Sequence, residues 1–219
     1  QEVFGSRLLM GNIVPGGVKR DLDSDKIKKL ENTVMKASFA AAKLDKYMKS
    51  SPSETDRLET TGILSKEYAE ELGTVGVIAR ASGIASDVRK EVPYDVYDKL
   101  SLNVITEKKG DSLARATVRT NEISESVSLI LQCLTKIEDG DIWTEPEMPI
   151  GTVCGIVESP RGELLHTAEI RDGEIWRYSI RDPSFVNWPA LEVSVLKDII
   201  PDFPLINKSF GLSYSGNDV

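Results

Sequence analysis

Arg161 stands between Pro160 and Gly162, and a few residues later comes the only histidine of the chain, His166. A guanidinium on a tight turn is always charged and rigid. It can stabilise developing negative charge or steady a nearby base. Arg161 and His166 are therefore the candidate catalytic pair. A single histidine on a strand is more often a satisfied structural residue, so the reading of His166 leans toward packing or support. A second group, Arg80, Asp87 and Arg89, falls in a segment of small residues, where structural ion pairs are the commoner outcome. A third candidate is the tail "SYSGND".

Other chemistries find no support. There is no Ser–His–Asp arrangement, phosphate-binding loop or dinucleotide fingerprint. "GTVGVIARASG" is glycine-rich but lacks the strand–turn–helix spacing that cradles phosphate. Two cysteines, Cys133 and Cys154, and one histidine cannot build a four-ligand zinc or iron–sulfur site alone. Carboxylate-only magnesium or calcium sites stay open, without any EF-hand spacing. The formal charge of -8 argues against nucleic acid as a partner. The longest apolar runs, such as "VGVIA" and "CGIV", are too short to span a bilayer. No signal peptide is visible, and the start at Gln1 reads as a cut into a longer protein.

The elements that must position these residues follow from periodicity and punctuation. "PGGVKRDLD" is turn chemistry leading to a helix capped by Asp23 or Ser24. Ile27, Leu30, Val34, Ala37, Ala41, Leu44 and Met48 then recur at helical spacing, predicting a long helix over 24–49. "SKEYAEELG" predicts a short helix closed by Gly73. The segment holding Arg80, Asp87 and Arg89 predicts a tightly packed helix that gives way to a polar loop at Pro93. Asp111 starts a second long helix, 111–137, with Leu113, Ile123, Val127, Ile130, Leu131 and Leu134 as its buried stripe. Cys133 is expected in that stripe and Cys154 on a strand. "GTVCGIVES", "ELLHTAEIR" and "EIWRYSIR" predict a small antiparallel sheet over 151–181, with a hairpin at "RDG". "DPSFVNWPAL" reads as a loop, "EVSVLKDII" as a last short helix, and the rest as an irregular tail with apolar anchors. The fold class is α+β and mostly helical. A helical bundle over 1–140 precedes a sheet, a short helix and a tail over 141–219.

Five segments in order, "PGGVKRDL", "ASGIASDVRKEVPYDVYDKL", "GDSLARATVRTNEISESV", "ESPRGELLHTAEIRDGEI" and "DPSFVNWPAL", resemble the large subunit of membrane-bound, energy-converting nickel–iron hydrogenases of the formate hydrogenlyase type. They equally resemble the related large subunit at the quinone end of respiratory complex I (NADH-quinone oxidoreductase). The likeness runs along nearly the whole chain. It implies that Arg161 and Pro160 match the turn placed over the metal's open site, and that Glu163 fits the membrane-bound branch and complex I better than the soluble hydrogenases. It also implies a family N-terminal part, with a first C-x-x-C pair and the complex I quinone-site residues, preceding Gln1. The family's tail reads C-Y-S-C-T-D. Ser213 and Gly216 stand where its two cysteine ligands belong, with Tyr214, Ser215 and Asp218 matching around them. The resemblance therefore implies a nickel–iron site emptied of ligands, since a serine hydroxyl is a poor partner for a soft-metal site and glycine offers nothing.

The function implied is that of a subunit in an oxidoreductase complex coupling electron transfer to ion translocation. The pocket would take a quinone or other small acceptor, or serve as a coupling element. Arg80, Asp87, Arg89, Pro160, Glu163 and Asp218 would line or couple to it. The chain itself would hold no cofactor. A small iron–sulfur subunit and membrane subunits would be its partners, on the cytoplasmic face of a prokaryotic membrane. Two other readings stand beside this one: a hydrogen-evolving nickel–iron hydrogenase subunit, and an assembly subunit without a substrate.

Overall fold

The computed structural model describes residues 3–6, 9–147 and 149–218. Two long helices form its frame: α1, Ser24–Ser50, and α6, Ser112–Lys136, which lie against each other. Asp23 starts α1 by accepting from Lys26 N at 2.9 Å. Asp111 starts α6 by accepting from Ala114 N at 2.8 Å, and its second oxygen takes Thr60 N at 3.0 Å. Each cap satisfies a first-turn donor that no helical carbonyl can reach. Before α1, a two-residue turn joins β1, Ile13–Val14, to β2, Gly17–Val18. Between the long helices run α2, Pro52–Leu58; α3, Lys66–Glu71; α4, Gly76–Ala81; and α5, Val88–Glu91.

The sheet is antiparallel in the order β3, Gly151–Ser159; β4, Gly162–Arg171; β5, Glu174–Arg181. Its second hairpin turns at Asp172 and Gly173, with φ of 52° and 80°, the left-handed pair that a two-residue turn requires.

The C-terminal region departs from the expected loop and irregular tail. "DPSFVNWPAL" lies in a helix, α7, Pro183–Ser194; "EVSVLKDII" supplies only its end. Asp182 caps α7 at Ser184 N, 2.7 Å, and Pro183 sits at the first position, where no N–H is needed. Pro189 interrupts the ladder on the exposed side. Pro183, Ser184, Asn187, Ala190, Leu191 and Ser194 form a buried stripe at helical spacing, and that burial outweighs the lost bond. The tail forms α8, Phe203–Phe210, and α9, Tyr214–Asn217. Its apolar anchors are real: Ile206 and Phe210 join Leu64, Ala69, Ile78, Ala190 and Leu191 in the main core.

The stripe expected on α6 is also redrawn. The buried residues include Ala114, Arg115, Thr117, Val118, Val127 and Leu129, while Ile123 and Cys133 are exposed. The first half of α6 threads the core through small side chains against Val77 and Ala81 of α4. Further along, Ile123 and Ile130 face a cavity instead, with the buried Val127 between them also on its wall. A helical period identifies an apolar face but does not say whether protein covers it.

Asn187 shows how tightly α7 holds the next layer. Its side chain accepts from Val75 N at 3.0 Å and donates to Val75 O at 3.1 Å. Asn187→Ala is expected to destabilise the chain by about 2–3 kcal/mol, because both partner groups lose their bonds beside the core. A urea midpoint that falls at unchanged slope would register this.

Candidate functional site

The turn carrying Arg161 exists because Ser159 pairs with Gly162, leaving Pro160 and Arg161 as its two corner residues. Two glycines press this turn onto the start of α4. A Cβ on Gly76 would lie 2.2 Å from Arg161 O, and one on Gly162 would lie 2.8 Å from Gly76 N. With backbone on backbone, Arg161 is held against the end of α8, where its Nε donates to Gly211 O at 2.7 Å. Arg119 of α6 donates to the two preceding carbonyls, Ser209 O at 2.5 Å and Phe210 O at 2.7 Å. Cations at the negative end of a helix satisfy carbonyls that no further turn can reach. Gly211 itself, at φ 64°, ends α8 in the left-handed conformation.

Beside this corner lies a cage of buried charge around Arg80. Its Nε donates to Glu122 at 2.6 Å, and its Nη1 to Glu158 at 2.8 Å and to Ser86 O at 2.9 Å. Asp87 stands 3.6 Å from the same Nη1 and binds Arg89 at 2.9 and 2.7 Å. The side chains of Arg80, Asp87 and Glu158 are 2%, 1% and 5% exposed. Burial disfavours the Arg80 charge, yet Glu122, Glu158 and Asp87 together hold its pKa above the ordinary value. Burial pushes Glu122 and Glu158 above the usual carboxylate range in spite of Arg80. Burial also acts to raise Asp87, but the bonds and charge of Arg89 prevail and hold it low.

Both features open on one cavity of about 760 Å³. Its charged side carries Arg80, Glu122, Glu158, Arg119, Arg161 and Lys208, and its apolar wall carries Val34, Ile123, Val127 and Ile130. Such a space accommodates a small amphipathic molecule, with polar atoms toward the arginines and an apolar body between α1 and α6.

Among the residues singled out in the sequence, the structure gathers Arg80, Asp87, Arg89, Pro160 and Arg161 at this corner. Glu163 instead pairs with Arg181 of β5. His166 faces the Tyr178 hydroxyl across the β4–β5 pair. Asp218 ends α9 and accepts from Asn217 Nδ2 at 3.2 Å. Ser213 caps α9, accepting from Gly216 N at 3.1 Å. Gly216 is buried on Asp182: a Cβ there would come within 2.6 Å of its carboxyl carbon. Cys154 is exposed on β3, and Cys133 is exposed on α6 rather than in a buried stripe. Glu122, Glu158, Arg119 and Lys208 were not among the residues the sequence pointed to. Glu158 sits two residues before Pro160, and Arg119 and Glu122 are three apart on one helix, a spacing that places them on one face.

A helical body with a small antiparallel sheet, whose hairpin arginine is held by the C-terminal helices, defines a hydrogenase-like large subunit. The chain belongs to the family described as the 49 Kd subunit of respiratory-chain NADH dehydrogenase, which matches over residues 1–148 and 142–218. It is 36% identical over 219 residues to the carbon monoxide-induced hydrogenase of Rhodospirillum rubrum, covering 95% of this chain and 59% of that protein. It is 29% identical over 217 residues to formate hydrogenlyase subunit 5 of Escherichia coli, covering 98% of this chain and 38% of the relative. Among solved structures, a chain of the membrane-bound sulfane sulfur reductase, an archaeal respiratory membrane complex, superposes with a TM-score of 0.84 at 28% identity. That match covers 93% of this chain and 58% of the other. The chain spans about half the length of the curated relatives it matches. Relatives are thus subunits of hydrogenase-related and complex I-like membrane complexes. Among the described residues no helix is long and apolar enough to cross a membrane.

Proposed function

We propose that this chain is the large-subunit portion of a membrane-associated oxidoreductase complex that couples electron transfer to ion translocation, with its nickel–iron site emptied. A small iron–sulfur subunit and membrane subunits are its partners on the cytoplasmic face. The cavity beneath Arg161 takes a quinone-like acceptor. The observation that carries this reading is the use made of Ser213 and Gly216, the two positions that the resemblance matches to the family's cysteine ligands. Ser213 Oγ is engaged as a helix cap, and Gly216 has a carboxyl group where a side chain would project. The residues present do not fit nickel–iron: a serine hydroxyl gives up its proton far less readily than a thiol, and glycine supplies no donor. Neither Cys133 nor Cys154 lines the cavity to substitute. The form of the cavity supports an acceptor instead, since it is charged at one side and apolar at the other.

Metal analysis of the full-length protein, expressed with nickel and hydrogenase maturation factors, tests the reading. The expected result is no stoichiometric nickel. About one nickel per chain, bound beneath Arg161, would overturn it and favour the hydrogen-evolving alternative, for which the likeness to the R. rubrum hydrogenase speaks.

A further inference from the structure

The charge cage contains two guanidiniums, Arg80 and Arg89, and three carboxylates, Asp87, Glu122 and Glu158. Counted over the side chains ion-paired to one another, one negative charge is therefore in excess and largely shut away from water; the next cation, Arg119, is turned onto Ser209 O and Phe210 O. A buried carboxylate without a cation of its own is costly, and the system relieves that cost by taking a proton. The hydrogen bonds indicate where the proton belongs. Asp87 has both oxygens on Arg89. Glu158 has one oxygen on Arg80 and the other on Val88 N, at 3.2 Å. Donors on both oxygens favour the ionised form. Glu122 accepts from Arg80 through Oε1 alone; its Oε2 has no partner among the described residues, and the side chain is 20% exposed along the cavity.

We propose that Glu122 is a proton-exchanging group, holding the proton that the Arg80 cage requires and presenting it through Oε2 to the molecule in the cavity. That molecule's identity as a quinone rests on the function proposed above; the proton on Glu122 does not. When a quinone oxygen gains an electron from a reduced iron–sulfur cluster of the partner subunit, the O–H bond at Oε2 breaks and a new one forms on that oxygen. Glu122 is left as a carboxylate beside Arg80 and regains a proton from water through the cavity mouth. The groups facing it come from every side. Arg80 stands on α4, Asp87 and Arg89 at the start of α5, Glu158 on β3, and Arg119 one turn back on α6, with Arg161 and Lys208 at the rim. The raised pKa of Glu122, caused first by burial, agrees with this placement.

Infrared titration of the full-length protein provides the test, because a protonated carboxyl absorbs apart from carboxylates. The wild type is expected to keep an acid carbonyl band at pH values well above the ordinary glutamate pKa of about 4.3. Glu122→Gln should abolish it. Glu158→Gln should leave the band but move its midpoint to lower pH, because the cage then has two carboxylates for two guanidiniums. Adding a water-soluble short-chain quinone to the wild type should shift the band. A band that survives Glu122→Gln, or a wild type with none, overturns the proposal. So does a quinone that binds, displaceably and in stoichiometric amount, without moving the band. Absence of quinone binding with the Glu122 band intact would instead overturn the acceptor assignment and leave the proton holder standing. Both substitutions preserve side-chain shape, and the wild-type titration is informative even if a variant fails to fold.

Discussion

Arg80→Met is expected to destabilise the chain by about 3–5 kcal/mol at neutral pH, the usual consequence of removing one partner from a buried ion network. The guanidinium holds Glu122 at 2.6 Å and Glu158 at 2.8 Å, and stands 3.6 Å from Asp87. Without it those carboxylates remain buried, with Arg89 on Asp87 and, among the described residues, no cation in ion-pair contact with Glu122 or Glu158. The loss has a definite pH dependence. Burial already holds Glu122 and Glu158 above their unfolded values, and removing Arg80 raises them further. A carboxyl whose folded pKa is raised destabilises the fold above that pKa and does not do so below the unfolded value of about 4.3. The penalty should therefore be small near pH 4 and grow as pH rises through the raised range to neutrality. For a chain of this length it corresponds to a melting temperature lowered by roughly 10 °C. Adding Glu158→Gln to Arg80→Met should recover part of the loss, since one fewer charge is stranded. Denaturant melts of the single and double variants at several pH values decide the matter. A small loss, independent of pH, would mean that Arg80 acts only by packing.

Gly76→Ala comes next in size, at about 2–5 kcal/mol, and it links stability to the site. Gly76 has φ of 66°, where an alanine costs roughly 1–2 kcal/mol. A Cβ would also stand 2.2 Å from Arg161 O, so the turn must move away, adding roughly 1–3 kcal/mol. Gly73 separates the two effects. It has φ of 61°, but nothing lies within 4 Å of its Cβ position. Gly73→Ala should therefore show the backbone cost alone. The displaced turn should also draw Arg161 Nε off Gly211 O, weakening acceptor binding in Gly76→Ala and sparing it in Gly73→Ala. Paired melts, together with quinone titrations, measure both differences. Equal costs in the two variants would refute the contact argument.

The sequence by itself determined what depends on neighbours along the chain. Helical spacing drew α1 and α6 to within a residue or two, Asp23 and Asp111 announced their starts, and Asp172–Gly173 announced the second hairpin. Five ordered segments were enough to point to the family. Where local signals conflicted, the reading failed. Pro183 and Pro189 made α7 look like a loop, although the first suits a helix start and the second sits on the exposed side of a buried stripe. Only the tertiary structure decided which charges meet. Arg80 takes Glu122 from forty-two residues away and Glu158 from seventy-eight, and nothing in the local pattern of either glutamate names its partner. It also decided that the apolar face of α6 around Ile123 and Ile130 borders a cavity rather than a core. Periodicity records that a face avoids water, whereas the burial of a charge and its pairing depend on what the rest of the chain brings against it.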